Sequence, residues 1–454
     1  MKPPSDYATG RLEMRIFMKR YEYDCVIVGG GAAGMTAAAA AAERGANTAV
    51  IEHTRRLGSK LLKTGNGKCN FTNLEMSGKC YQNDDTEFVM NVINKFDENS
   101  VIDFFKKLGV YPKSKNGYIY PHSETAASLQ DALRMELDRL DVRVFLRSEI
   151  IGITKTNNEK FIIDAIMSEE PSDDAGNKNK DLIKSKIQIC CGKLIIAAGS
   201  CAAPATGSDG SGYRLAESFG HKIIKPLPAL VQLVSSFAYC RAMSGVRSTG
   251  KIKLYIESEE VCSDTGEIQY TDYGISGIPV FQVSRYAVRG VDSGKSVKAV
   301  IDMLPDIPQE ELENDIDIRI LREPSKSVEQ FFAGIINKKL VYGAAKSMGI
   351  DINMHIGQLG GKRAKKLVRF LKNFEFEITG FKGFENCQIC QGGVALSQLD
   401  SDTMQSRLCG GLYFAGEIAD VDGKCGGYNL QWAWSSGITA GRAAAQSAVE
   451  DLQK

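Results

Sequence analysis

The chain has only four histidines in 454 residues: His53, His122, His221 and His355. Their scatter excludes a histidine triad or a histidine metal pattern. Cysteine is plentiful, at twelve, but lacks the regular spacing of a disulfide framework. Cys25, Cys190, Cys191 and Cys201 fall in strand-like or glycine-rich stretches, which fits small buried thiols in a reducing compartment. Charge of one sign is missing too. The net charge is +1, so no global field draws nucleic acid or an anionic membrane. No apolar run approaches the ~20 residues that cross a bilayer. Residues 1–20 are polar and lack the apolar core of a secretory signal, so a cytoplasmic location is expected. Residues 1–20 read as a disordered extension, and Met18, just before the first strand, leaves open an over-long start assignment for 1–17. With 43% hydrophobic and 24% charged residues, the composition is that of a globular protein, long enough for about two to four domains.

What is present is a glycine fingerprint. Residues 24 to 34 read Asp-Cys-Val-Ile-Val-Gly-Gly-Gly-Ala-Ala-Gly, an apolar strand running into a glycine turn and a helix start. Gly29, Gly31 and Gly34 keep the G-x-G-x-x-G spacing: a tight turn, close approach to a pyrophosphate, and close helix–strand packing. Ala32 and Ala33 then offer helix-start N–H groups to the anion. The helix Met35–Arg44 is nearly all alanine and can lie close to a sheet. Thr48–Ile51 reads as the second strand. Glu52, 23 positions after Gly29, is placed to accept hydrogen bonds from an adenosine ribose.

Downstream, Leu57 to Asn73 is a loop dense in Gly and Asn. Phe88–Leu108 and Thr125–Leu140 read as helices. Val142–Leu146, Ile150–Thr156, Phe161–Met167 and Ile187–Ala198 read as strands of a meander, with Ser168–Lys180 as its loop. Leu194 to Gly199 returns to a central parallel sheet. Residues 21–205 form the first part of a nucleotide-binding domain. Residues 206–305 are strand-rich, with turns expected at Ser263–Gly266 and Ser293-Gly294, and read as an inserted β-domain. Residues 306–373 are helical; Ala364, Leu367, Val368 and Leu371 share one face of a helix whose other face is basic. Residues 374–454 complete the nucleotide domain. There, Gly410 to Glu417 is a second apolar strand ending at glycine and an acid, followed by a helix from about Tyr428. Two anion-facing helix starts in one chain suit a flavin dinucleotide, with a pyrophosphate at one end and an electron-rich N1–C2=O edge at the other.

Four blocks carry a family resemblance: Val28 to Gly34; Lys60 to Asn73; Gly274-Ile275-Ser276-Gly277; and Gly411–Glu417 with Asp420 to Gly423 and Gly426 to Ala433. They resemble the bacterial FAD-dependent oxidoreductases typified by the bile-acid-inducible 3-dehydro-bile-acid Δ4,6-reductase, a family also described as aminoacetone-oxidase-like. The resemblance covers nearly the whole chain from Tyr21. It implies an α/β fold: a Rossmann-like FAD-binding core, parallel sheet plus β-meander, interrupted by a β-barrel-like domain and a helical domain. It also implies that the loop with Lys60, Lys68, Cys69 and Asn70 and the helix start Gly427, Tyr428, Asn429 and Leu430 flank the ring of a non-covalent FAD. The strand-end residues Gly199, Gly416 and Glu417 join the cofactor-binding set. Asp272 and the Ile278-Pro279 pair depart from the family pattern in the inserted domain.

A flavin supplies hydride or electron transfer, and the protein supplies position and electrostatics. Asn66, Asn70 and Asn73 are candidates for the ring's amide-like edge, or for turn stabilisation. Cys387 and Cys390 form a C-x-x-C without a matched second pair for zinc; on a strand, nothing lowers a thiol pKa, so structural use is expected. The run Gly207 to Gly212 grips NAD(P)H phosphates or is a plain turn. The expected activity is NAD(P)H-dependent reduction of a C=C bond conjugated to a ketone, the resemblance pointing to 3-oxo bile acids or steroids. NAD(P)H is the transient hydride donor. Tyr428 and Asn429 are candidates to organise the ketone, and Tyr273 to supply the proton. An amine oxidase and a nucleic-acid-associated flavoprotein are the alternatives. The partner expected is a small molecule, with no nucleic acid, membrane or metal ion.

Overall fold

A computed structural model of the chain describes residues 19–82, 85–169 and 182–452. The expected loop Ser168–Lys180 and the 1–17 extension lie largely or wholly outside these. The first strand, Lys19–Val28, begins at Lys19, two residues inside the segment read as an extension.

The central sheet runs Arg143–Phe145, Thr48–Ile51, Lys19–Val28, Ile183–Ile196, Phe161–Glu169, Ser148–Lys155. The fourth of these is long enough to pair with two strands in succession along one edge. Its first part pairs antiparallel with Phe161–Glu169, making the meander. Its last three residues, Leu194 to Ile196, pair in parallel with Leu412–Phe414, far away in sequence. The apolar run at Leu194 is therefore buried on both faces, as a central parallel strand requires.

The helix Ala32–Ala42 shows no apolar stripe because every position from Ala33 to Ala41 is buried. The sheet covers one side and the long C-terminal helix, Tyr428–Leu452, the other. Gly437 and Gly441 make that approach possible. A Cβ would stand 2.5 Å from the Ala33 carbonyl oxygen at the first and 2.2 Å from that of Ala37 at the second.

The span Phe88–Leu108 is two helices, Thr86–Lys95 and Glu98–Lys107. Asp97 starts the second by accepting from the Ser100 N–H at 2.8 Å, an N-cap that competes with helix continuation. In the inserted domain six strands close a barrel in the order Leu233–Ser235, Gly274–Ser276, Glu259–Tyr270, Arg247–Ile256, Val297–Asp302, Phe374–Phe381. Three sequence expectations change here. Phe374–Phe381 is a barrel strand, although it follows the helical segment. Ser263–Gly266 is interior to a strand; the hairpin turns at Glu257-Ser258, where Glu257 adopts φ +60°. And Ile278–Asp292 is a helix across the barrel, its Val280, Val283, Ala287 and Val288 buried at helical spacing. β-branched residues in that run disguised the period. The turn at Ser293-Gly294 is present, with Gly294 at φ +71°.

The helical segment packs Gly361–Lys372 through Ala364, Leu367, Val368 and Leu371, as the pattern predicts. Much of its basic face is paired: Arg369 with Glu313 at 2.8 Å, Lys365 with Asp317 at 2.6 Å and Lys372 with Asp302 at 2.9 Å. Among the described residues no helix is long and apolar enough to cross a membrane.

Candidate active site

A cavity of about 1250 Å³ runs from the glycine fingerprint to the start of the C-terminal helix and on to the inserted domain. Gly29, Gly31, Ala32, Ala33, Glu52, Lys60, Asn70, Gly199, Gly416, Glu417, Gly427, Asn429 and Leu430 all line it. Gly34, Lys68, Cys69, Tyr428 and Tyr273 do not.

The three fingerprint glycines do different work. Gly29, at φ +100°, has no room for a side chain, since a Cβ would meet the Ala197 carbonyl oxygen at 2.5 Å. Gly34 lies under the turn, its would-be Cβ 1.8 Å from the Gly29 oxygen, so it is a packing residue. Gly31 faces open space and precedes a helix start with no side-chain cap. That leaves first-turn N–H groups available to an anion in the cavity. Glu52 is buried, and its carboxylate accepts from the Gly30 and Thr54 N–H groups at 2.7 Å each. These bonds fix its direction and leave each oxygen a further lone pair.

The second strand end is tied into the same wall. Lys60 Nζ meets Glu417 Oε2 at 2.5 Å, and the Ser200 hydroxyl donates to the same oxygen at 3.1 Å. The Trp432 indole donates to the Gly416 carbonyl at 3.0 Å. Three asparagines divide between the two roles that the sequence allowed. Asn73 is a clamp: its Nδ2 donates to the Gly426 carbonyl and its Oδ1 accepts from the Glu75 N–H. Asn66 lines the cavity in a left-handed turn. Asn70 also lines it, and its Oδ1 is buried without a partner among the described residues. A buried acceptor with no donor is costly, so a ligand N–H fits there.

Several expected site residues are used elsewhere. Lys68 reaches out to Glu124 at 3.0 Å. Cys69 is fully buried, and burial pushes its thiol up to about 12, which makes it an inert packing group. The Tyr428 ring packs edge-on against Tyr81 at 6.1 Å, away from the cavity. Tyr273 sits under the Lys382 ammonium, 4.0 Å from its ring centre, on the barrel. Asn429 reaches the cavity wall, but its side chain holds the preceding loop, accepting from the Gly423 N–H at 2.7 Å and donating to the Gly423 carbonyl at 2.9 Å. A helix's first-turn side chains point where packing sends them, and spacing does not reveal that.

The run Gly207 to Gly212 is a self-capped turn. Asp209 accepts from the Ser211 N–H at 2.9 Å, and the Ser208 hydroxyl donates to the Ser200 carbonyl at 2.8 Å. Cys387 precedes the strand Ile389–Val394 and lines the cavity, while Cys390 lies on that strand. Contrary to the expectation for this pair, the Cys387 thiol is held below its usual value, chiefly by a hydrogen bond from Cys390 and against the opposing pull of burial.

The sequence reading missed the inserted domain's share of the wall and a tyrosine pair. Leu230, Ile278, Phe281 and Ile389 give it an apolar side, and Tyr118 and Tyr120 supply hydroxyl-bearing rings. The helix carrying Phe281 also grips the loop before Tyr428. Arg285 binds Asp422 through two hydrogen bonds of 2.6 and 2.9 Å, both residues buried, and Gln282 bonds both the N–H and the carbonyl of Cys425. Among the described residues no cluster of three or more His, Cys, Asp or Glu could hold a metal ion.

Comparison with known proteins agrees with this architecture. The 3-dehydro-bile acid Δ(4,6)-reductase of Clostridium scindens is 39% identical over 402 residues, covering 88% of this chain and 93% of that protein. A ribosomal RNA dihydrouridine synthase of Haemophilus influenzae is 30% identical, covering 90% and 96%. Its namesake from Escherichia coli is 28% identical, covering 91% and 96%. The family description "HI0933-like protein Rossmann domain" matches residues 23–443, nearly the full length of the described fold. The chain belongs to the HI0933-like Rossmann-domain family, in agreement with the four sequence blocks.

Proposed function

We propose that this protein is an FAD-dependent oxidoreductase that uses NAD(P)H to reduce a C=C bond conjugated to a ketone, with 3-oxo-Δ4 or Δ4,6 bile acid or steroid intermediates as substrates. One observation carries the reading: a single cavity has a dinucleotide-type wall of glycines and helix starts at one end and an apolar wall with tyrosines at the other. A flat apolar ring system with one polar end suits the second wall. The relative named as a Δ(4,6)-reductase supports the same chemistry.

In this reading the Gly29–Gly31 backbone and the helix start at Ala32 hold the pyrophosphate, and Glu52 the ribose. Asn70 Oδ1 takes an N–H from the ring's amide-like edge. The first-turn N–H groups of the helix Tyr428–Leu452 favour negative charge at the N1–C2=O edge. When bound, FAD supplies hydride transfer to the electron-poor carbon of the double bond. Leu230, Ile278, Phe281 and Ile389 exclude water from the reacting atoms and orient the substrate. NAD(P)H is the proposed source of the hydride.

Dihydrouridine is uridine with a carbonyl-conjugated C=C bond reduced, so the other relatives' names describe the same bond chemistry on a different scaffold. The test is an anaerobic turnover screen of the purified yellow protein with NADH and NADPH. Its arms are 3-oxo-Δ4 steroids, simple amines and a uridine-containing RNA. Reoxidation of the NAD(P)H-reduced protein by a steroid enone is the expected result. Reduction of the oxidised protein by an amine, or reaction with RNA alone, overturns it.

A further inference from the structure

We propose that Tyr118 is the proton donor of this reaction, completing saturation at the carbon next to the ketone. The proposal rests on the enone-reductase reading above and adds a catalytic residue to it. Tyr118 opens the second strand of a hairpin, Pro112–Lys115 with Tyr118–Pro121. The two connecting residues, Asn116 and Gly117, both have positive φ, +52° and +84°, as a tight two-residue hairpin turn requires. The strand's alternation then sends Tyr118 and Tyr120 to one face, and both line the cavity.

Three observations support Tyr118, and the first of them separates it from Tyr120. Its ring lies against Gly426, where a Cβ would stand 2.9 Å from Tyr118 Cε1. Gly426 leads directly into the helix start at the cavity, so a missing side chain there is what lets the ring in. Secondly, no hydrogen bond engages the Tyr118 hydroxyl among the described residues. The hydroxyls of Tyr81 and Tyr286, by contrast, donate to the Tyr428 carbonyl and to Gln82. Thirdly, Tyr118 is 36% exposed while lining the cavity, so it can regain a proton from bulk water after each turnover. Like any tyrosine it is protonated at neutral pH, and burial, with the nearby Cys425, Asp264 and Glu75, holds its hydroxyl above the ordinary value.

The step balances. The hydride that forms the new C–H bond at the β-carbon derives from NAD(P)H. The π pair of the C=C bond shifts toward the ketone as an enolate. The Tyr118 O–H bond breaks as a C–H bond forms at the α-carbon, and the phenolate takes a proton from water. Positioned acids of this kind contribute about 10²–10⁴-fold.

The test uses the FAD-loaded protein, 3-oxo-4-cholenoic acid as the enone and the isosteric variant Tyr118→Phe. Single-turnover enone reduction is expected to fall by about a hundredfold or more. Equilibrium binding of the saturated 3-oxo acid, followed by calorimetry, should change by less than about threefold, a split that lost folding or lost binding would not give. In deuterated water, wild-type product should carry deuterium on one face of the α-carbon, and the variant's residual product should lose that facial preference. If wild type reduces the enone and Tyr118→Phe matches it, or only ligand binding weakens, or the loss is confined to Tyr120→Phe, the assignment of Tyr118 is overturned while the enone reading stands. If wild type reduces no enone, both fall.

Discussion

Between the strand ending at Val28 and the helix starting at Ala32 the chain uses three residues, all glycine; between Phe414 and Tyr428 it uses thirteen. Both junctions end in a helix start on the same cavity, yet they are held differently. The first is fixed from within its own domain, by Gly29 against Ala197, Gly34 under Gly29 and the Glu52 carboxylate on the Gly30 N–H. The second is fixed from outside, by Arg285 and Gln282 of the inserted domain's helix and by Asn429 folding back on Gly423. The short junction is held by residues of the sheet it joins, whereas the long one takes partners from another domain, and here those partners sit on the element that also carries Phe281 to the cavity.

The sharpest test of the first junction sets two of its glycines against each other. Gly34→Val would drive a side chain into the Gly29 carbonyl, and a loss of more than about 4–5 kcal/mol is expected, read as failure to fold. Gly31→Val points into open space, so its thermal unfolding should stay near wild type while FAD retention is lost. A folded, FAD-loaded Gly34→Val protein would break the comparison. Next in size is the second junction's ion pair. Asp422→Ala leaves the Arg285 charge buried without its partner, and about 3–5 kcal/mol of stability should go, measured as a denaturant midpoint shift. An unchanged midpoint would mean that the inserted domain does not hold this loop. The smallest effect belongs to Gln282→Ala. It removes both bonds to the Cys425 backbone, about 1–3 kcal/mol, and should show as faster amide exchange confined to residues 422–427. Equal acceleration at residues 29–31 would show the two junctions to be coupled.

This difference also explains what was legible in the sequence. The fingerprint, Glu52 and the alanine helix were readable because local geometry decides them. The second junction's position was readable, but not its side chains: Tyr428 turns to Tyr81, and Asn429 holds its own loop. Lys68 and Cys69 do not line the cavity, and the loop from Lys60 contains left-handed residues, Gly65, Asn66 and Cys69, that redirect successive side chains in a way spacing does not reveal. The Asn116-Gly117 turn with its alternating Tyr118 and Tyr120 was a strong hairpin signal that went unused. A barrel-like inserted domain was expected, but not the strand that closes it, because Phe374–Phe381 pairs with Leu233–Ser235 and Val297–Asp302 across the intervening helical segment.

That late strand fixes a timetable for synthesis. A ribosome releases the glycine fingerprint long before its cover. The inserted barrel can close once Phe381 is out, but the host sheet must wait for Leu412–Phe414, and the alanine helix stays uncovered until Gly437 and Gly441 emerge. The guest domain is therefore able to fold before its host, reversing the usual order in which the earlier-made part folds first. Until the last helix arrives the nascent chain exposes an apolar alanine surface, and that interval is when it is most open to chaperones and to aggregation.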